Sequence, residues 1–234
     1  MRLISERAAT LAFAALALAG CGGNQSESSH WSGKTFLLEF PAKHWNQPSN
    51  KTVAQAVGDF VPQFLLSLSA SGSTETALVA TATDGVQNPC NRTQQLTVTE
   101  SQYPDSQFVI TDFSIRLKRT DSGTGKTASV RATIRNLTFK NLLPGADGTP
   151  RTDGSFSASG YMGDLAPLFF LQDNPTAESI CSLLGSNQYE TPCETCTFNS
   201  EQHCLTVGAV QIGAKVTTAS ITPVSENDSA AACL

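Results

Sequence analysis

No stretch of this sequence carries a run of basic residues, a complete phosphate-binding loop, a Gly-x-Ser-x-Gly nucleophile elbow or the ~20 consecutive apolar residues of a bilayer-crossing helix. Each absence removes a class of function. A net charge of −5 without basic clusters argues against nucleic acid and against electrostatic docking on anionic lipid. Gly123-Thr124-Gly125-Lys126-Thr127 is similar to the end of a P-loop, but the leading glycine position is Thr120 and the segment joins two strand-like runs. A hairpin turn is expected there instead. The three histidines, His30, His44 and His203, have no serine and acid at motif spacing. No catalytic residue, cofactor or enzymatic activity is therefore expected.

What is present begins at the N-terminus. Arg2 and Arg7 precede an apolar run from Ala8 to Ala19, which ends in Leu18-Ala19-Gly20-Cys21. The run is about half a transmembrane span and reads as a signal peptide covering residues 1–20. Leu-Ala-Gly-Cys resembles the lipobox of bacterial lipoproteins. That resemblance implies a diacylglycerol on the Cys21 sulfur, cleavage before Cys21 and acylation of the new amino terminus. In that family an Asp after the cysteine retains the protein in the inner membrane; here the position is Gly22. A lipid-anchored cell-envelope protein, held at the outer membrane, is the expectation. Removal of residues 1–20 leaves 13 basic against 19 acidic residues, a formal charge of −6. Residues 21–33 are polar and rich in Gly and Ser, a flexible tether with an r.m.s. reach of roughly 19 Å.

With Cys21 lipidated, Cys90, Cys181, Cys193, Cys196, Cys204 and Cys233 remain. An even number in an oxidising compartment predicts three disulfides, with 15 possible connectivities. Four of the six crowd between 181 and 204, so two local bridges are expected there, with Cys90 and Cys233 left as a pair. Cys193-x-x-Cys196 with His203 and Cys204 is the competing zinc reading, but adjacent His203 and Cys204 are poorly placed to share one ion. No metal site is expected. A redox-active dithiol needs a helix N-terminus, whereas Pro192 and the threonines point to a loop, and Glu190 and Glu194 would raise a thiol pKa. Asp147 and Asp153 lack the dense alternating carboxylates of a calcium site.

Most of the chain alternates at period two. Thr35 to Phe40 reads as a first strand, and Val53, Ala56, Val57 and Phe60 recur at helical spacing before Pro62. Phe64, Leu66, Leu68 and Ala70 alternate, and Ser71-Gly72-Ser73 turns into Ala77 to Thr83. Leu96 and Val98 open a next pair, turned at Tyr103-Pro104-Asp105, whose partner alternates Phe113, Ile115 and Leu117 with Ser114, Arg116 and Lys118. After a turn at Asp121 to Lys126, Val130, Ala132 and Ile134 alternate with Arg131, Thr133 and Arg135, as in an antiparallel sheet with one wet face. Pro144 to Gly148 begins a long loop, and Phe156 to Met162 is a strand. Asp164 is expected to cap a helix through Phe170, and Asn174-Pro175 to open another ending at Gly185, with Ile180 and Leu184 inward. Leu205 to Val216 and Thr217 to Val224 read as a closing strand pair, and 225–234 as a tail.

The expected fold is mainly β, an antiparallel sandwich, barrel or half-barrel with two or three short helices, as one domain over residues 34–224. Trp31 and Trp45, with His44, either line a cavity mouth or cover a core edge. Phe36, Phe40, Phe60, Phe64, Phe108, Phe113, Phe139 and Phe156 either line a ligand cavity or fill a core. The expected function is a non-enzymatic binding or structural domain, partnered by the membrane through its lipid and by an envelope protein or the wall. A carrier of a lipid or other apolar ligand is the alternative, and a hydrolytic enzyme ranks last. Gly160 to Leu171, Cys181-Ser-Leu-Leu, Cys193-x-x-Cys196 and Cys204-Leu-Thr-Val are similar to uncharacterised cysteine-containing lipoproteins of the myxobacterial type, which implies localisation and a cysteine pattern but no mechanism.

Overall fold

The computed structural model describes residues 31–233 apart from 72–73, 100–106, 122, 145–148, 150, 170–174, 201 and 232. The leader, Cys21 and most of the expected tether lie outside the described residues. The strands are β1 (Thr35–Leu38), β2 (Trp45–Gln47), β3 (Gln63–Ser71), β4 (Thr74–Thr83), β5 (Val86–Gln87), β6 (Gln94–Thr99), β7 (Gln107–Thr120), β8 (Thr127–Lys140), β9 (Gly154–Tyr161), β10 (Cys204–Ile212) and β11 (Ala214–Thr217). They form two antiparallel sheets, one of them curved as a half-barrel. The first sheet has the order β11-β1-β3-β4-β5 with β6 also on β4, and the second β2-β10-β9-β8-β7. The mainly β, antiparallel expectation holds.

The two sheets meet over one apolar cluster. Phe36, Leu38, Phe64, Leu66, Leu68, Ala77 and Val79 point in from the first sheet, and Phe113, Ile115, Phe139, Phe156, Leu205 and Val207 from the second. Strand alternation alone produces this, because successive side chains leave opposite faces. In β7 and β8 the inward parity changes along the way. Phe108 and Ile110 face in, then Phe113 and Ile115; opposite them Leu137 and Phe139 face in, then Ala132. The change falls at the unpaired position between Ile110↔Leu137 and Asp112↔Arg135, where Asn136 takes φ 49°. One extra residue on each strand lets both switch faces together.

Four α-helices, against the two or three expected, lie among the described residues: α1 (Lys51–Gly58), α2 (Met162–Leu165), α3 (Ala177–Leu184) and α4 (Glu226–Ala231). In α1 Val53 and Val57 are buried as expected, but Ala54 is buried in place of Ala56. The Asn50 side chain caps α1 by accepting from the Thr52 and Val53 amides, and donates to the Tyr189 carbonyl at 2.8 Å. Gly58 lies against the Trp45 indole so closely that a Cβ there would collide with the ring. Asp164 does not cap α2. It sits inside the helix and its carboxylate accepts from the Thr133 amide at 3.3 Å, while the backbone before it is already committed to β9. Helix α3 starts at Thr176 rather than at Asn174-Pro175, because Thr176 and Ser179 form a reciprocal capping box. Ile180 and Leu184 face inward as expected.

Three long-range features differ from the expectation. β6 pairs with β4 and not with β7, so the connection through 100–106 changes sheets. β10 and β11 belong to different sheets, with a bulge at Gln211, φ 55°, between Val210 and Ile212. Residues 218–225 form no strand, and the expected tail contains α4. Trp31, expected in the tether, is 5% exposed and packs edge-on against Phe36 at 5.5 Å.

The segment after β11 is a strap. Thr217 pairs with Thr35 at one side of the first sheet, whereas the Thr222 backbone exchanges two hydrogen bonds with the Gln87 side chain on the other. The segment is therefore tied at both edges of the sheet, and since the inner face is filled, it crosses over the outer face. This accounts for Leu65 and Ala80, which point outward yet have 0% exposure. Truncating Leu65→Ala is expected to cost roughly 2–5 kcal/mol in urea denaturation, as for a core leucine, instead of under ~1 kcal/mol for an outward-facing one. A loss at the lower level would show that the strap does not seal this face.

Candidate functional site

The site is built where the β7–β8 hairpin overhangs the first sheet. Thr120 and Thr127 close the ladder, with their hydroxyls 2.9 Å apart. Asp121 then organises the turn, accepting from the Gly123 and Thr124 amides and the Thr124 hydroxyl, while Gly125 supplies φ 70°. The Thr124 hydroxyl and the Gly123 amide hold the Asp121 carboxyl below its ordinary pKa. The P-loop-like segment is thus a hairpin turn, as its position between two strands requires.

Asn91 joins the sheets at the root of this hairpin. Its side-chain amide donates to the Thr81 hydroxyl at 2.8 Å and its carbonyl accepts from the Arg116 amide. Both Asn91 and Thr81 are buried, at 2% and 0% exposure, so each satisfies the other at a point where neither reaches water. Beyond the clamp the sheets diverge and leave a solvent-open cleft of about 900 Å³. The first sheet and the end of α1 contribute Asp59, Gln63, Asp84 and Asn88; the hairpin contributes Arg116, Lys118, Thr120 and Ser129. Phe60, Val61, Pro62 and Leu117 form an apolar floor, which they share with an adjoining internal cavity of about 40 Å³. Arg119 lies over the Phe60 ring at 5.0 Å and donates to the Leu168 carbonyl at 2.9 Å.

Cys90 and Cys233 form one of three pairs at disulfide distance and border the cleft. The others are Cys181–Cys193 and Cys196–Cys204, with Cα separations of 5.4 and 5.1 Å. Two local pairs within 181–204 and one between 90 and 233 match the expected division. Cys193 and Cys196 flank Glu194, which bridges to Cys204 through paired backbone hydrogen bonds of 2.7 and 3.0 Å, so neither thiol stands at a helix N-terminus. Among the described residues no group of three or more His, Cys, Asp or Glu side chains is placed to hold a metal. A second open groove of about 490 Å³ runs past Gln47, Glu190 and Glu194, but the Glu194 carboxylate accepts from the Thr206 hydroxyl at 2.8 Å.

The remaining sequence candidates are scattered. His44 ends a 3₁₀ turn, its Nδ1 buried without a partner, and His203 precedes β10. His30 and Asp147 lie outside the described residues. Trp31 and Trp45 are both buried against aromatic neighbours and cover the core edge. Asp153 is taken by Arg151, which donates to both carboxylate oxygens at 2.8 and 2.7 Å, and by Asn141 at 3.0 Å. Arg116 and Lys118 carry no signal in the sequence beyond a wet strand face. Only the divergence of the sheets turns that face into a wall.

Two outcomes follow. Non-reducing peptide mapping is expected to recover 90–233, 181–193 and 196–204 linkages; a 193–196 linkage would contradict this arrangement. The Arg151 hydrogen bonds pull the Asp153 pKa down to about 2. A carboxyl lowered in the folded state stabilises above its ordinary pKa of ~3.9 and loses that contribution as pH falls through the folded value. An NMR titration is expected to show a midpoint near 2 that rises towards ~3.9 in Arg151→Gln; an unchanged midpoint would remove Arg151 as the cause. Comparison with protein-family models, with curated proteins and with solved structures finds no match to this chain, so its function must be argued from the site itself.

Proposed function

We propose that this chain is a lipid-anchored envelope protein whose β-domain is a non-enzymatic binding module, with the cleft beside the β7–β8 hairpin as its binding face. The observation that carries the reading is the contrast between the two spaces. The cleft of about 900 Å³ is of the size that takes ligands, whereas the interior cavity of about 40 Å³ is closer to a single water. A carrier enclosing an apolar ligand needs several hundred Å³. The phenylalanines that would line such a cavity instead touch one another: Phe64 lies within about 6 Å of Phe40, Phe113 and Phe139.

Export is supported by the leader and by three cysteine pairs, which persist in oxidising compartments and are rare in reducing ones. The lipobox supplies the anchor, since several buried acyl chains at ~0.8 kcal/mol per CH₂ hold a protein on a membrane without any charge attraction. Gly22 in place of a retaining Asp supports outer-membrane residence. Cys21→Ser is expected to move the protein from the membrane fraction to the soluble fraction while leaving its three disulfides intact. Retention of the variant in the membrane fraction would remove the lipid anchor from this reading.

A further inference from the structure

The charges of the cleft are divided between its two sides. Arg116 and Lys118 stand on the hairpin side, and Asp59 and Asp84 on the side of the first sheet. Neighbouring charges are neutralised: Glu226 takes Arg131 at 3.1 Å and Arg92 at 3.7 Å, and Asp112 takes Arg135. Among the described residues the four charged side chains of the cleft have no such ion pair. Arg116 is the most telling of them. Like Arg92 and Arg135 it has an Nε buried without an acceptor, but those two bond oxygens through their outer nitrogens and Arg116 does not.

The hairpin also concentrates charge. Residues 116–131 hold five cations, Arg116, Lys118, Arg119, Lys126 and Arg131, against the single anion Asp121, in a chain of net charge −5. A multiply charged anion would meet Asp59 and Asp84 across the cleft. A ligand with one carboxylate and one ammonium group is attracted by both sides. The floor of Phe60, Val61, Pro62 and Leu117 adds a requirement for an apolar part between them.

We propose that the cleft binds a short zwitterionic peptide with apolar side chains, its carboxylate on Arg116 and Lys118 and its ammonium towards Asp59 and Asp84. This rests on the cleft being the binding face. The test is calorimetric titration of the detergent-solubilised full protein with the dipeptide Leu-Leu, with acetyl-Leu-Leu, which lacks the ammonium, and with Leu-Leu-amide, which lacks the carboxylate. Leu-Leu is expected to bind, and loss of either charge to weaken it by about tenfold or more, the usual weight of a charged hydrogen bond. Arg116→Gln is expected to weaken Leu-Leu by a similar factor, and substitution of the exposed Lys118, Lys118→Gln, by several-fold. Equal binding of acetyl-Leu-Leu, or no binding of Leu-Leu at millimolar concentration, would overturn the proposal. Native mass spectrometry of the membrane-extracted protein separates the two failures. A non-peptide adduct lost in Arg116→Gln would sink the peptide proposal and leave the binding face standing; no adduct together with no dipeptide binding would sink both.

Discussion

Phe64 is the contact on which the two sheets depend. It sits on β3 in the middle of the first sheet, and its ring lies 6.0 Å from Phe113, 5.4 Å from Phe139 and 6.3 Å from Phe156 on three strands of the second. Edge-on and tilted aromatic pairs contribute ~0.5–1.5 kcal/mol each beyond the area they bury. Phe40 extends the cluster, 6.0 Å from Phe64 and 4.8 Å from Phe156, and carries it to Trp45, whose indole lies under α1 at Gly58. One aromatic junction thus sets the spacing between the sheets and the seat of the first helix. Filling the interior in this way also narrows the space between the sheets at this junction to a cavity of about 40 Å³.

The C-terminus closes the fold from the opposite side. The strap over Leu65 and Ala80 is tied at Gln87 and again at Thr93, which exchanges hydrogen bonds with Val224. Glu226 then accepts Arg131 from the second sheet, and Cys233 joins Cys90. The two cysteines are 143 residues apart, and a link across so long a loop removes about 5 kcal/mol of unfolded-chain entropy in the loop-closure account. The exposed ion pairs contribute little by comparison. It is therefore the covalent link, next to the Asn91 clamp, that holds the strap and the cleft rim in one piece.

Features that are local in the chain were legible from sequence. The alternation of Phe113, Ile115 and Leu117 with Ser114, Arg116 and Lys118, the turn at Asp121 to Lys126 and the inward Ile180 and Leu184 all follow from period and turn chemistry. The division of the cysteines followed from spacing. Most of what failed needed partners far away in sequence. Nothing near Leu96 says that its strand returns to β4 over a sheet change, and nothing in Leu205 to Val216 says that the run divides between two sheets. The residues after Ser225 read as a tail, yet the Ser225 hydroxyl accepts from the Asp228 amide to open a helix there, and Arg92, Arg131 and Cys90 receive it. Thr176 outcompeted Pro175 as a helix start because its hydroxyl and that of Ser179 satisfy two backbone amides at once.

The cleft was invisible for a related reason, and its cause is geometric. Asn91 pins β7 to the first sheet at the Arg116 amide, yet β7 continues to Thr120. Four residues of strand at ~3.4 Å each carry the hairpin about 14 Å past that anchor. Its last inward apolar residue is Leu117, which ends the floor, and the residues beyond it are charged or polar. On the facing side α1 ends at Gly58 and β4 at Thr83, so Asp59 and Asp84 stand at the ends of their elements. An overhanging hairpin rich in cations facing element ends that carry carboxylates is a consequence of where the clamp lies. Moved two residues along β7, the same clamp would shorten the overhang by about 7 Å.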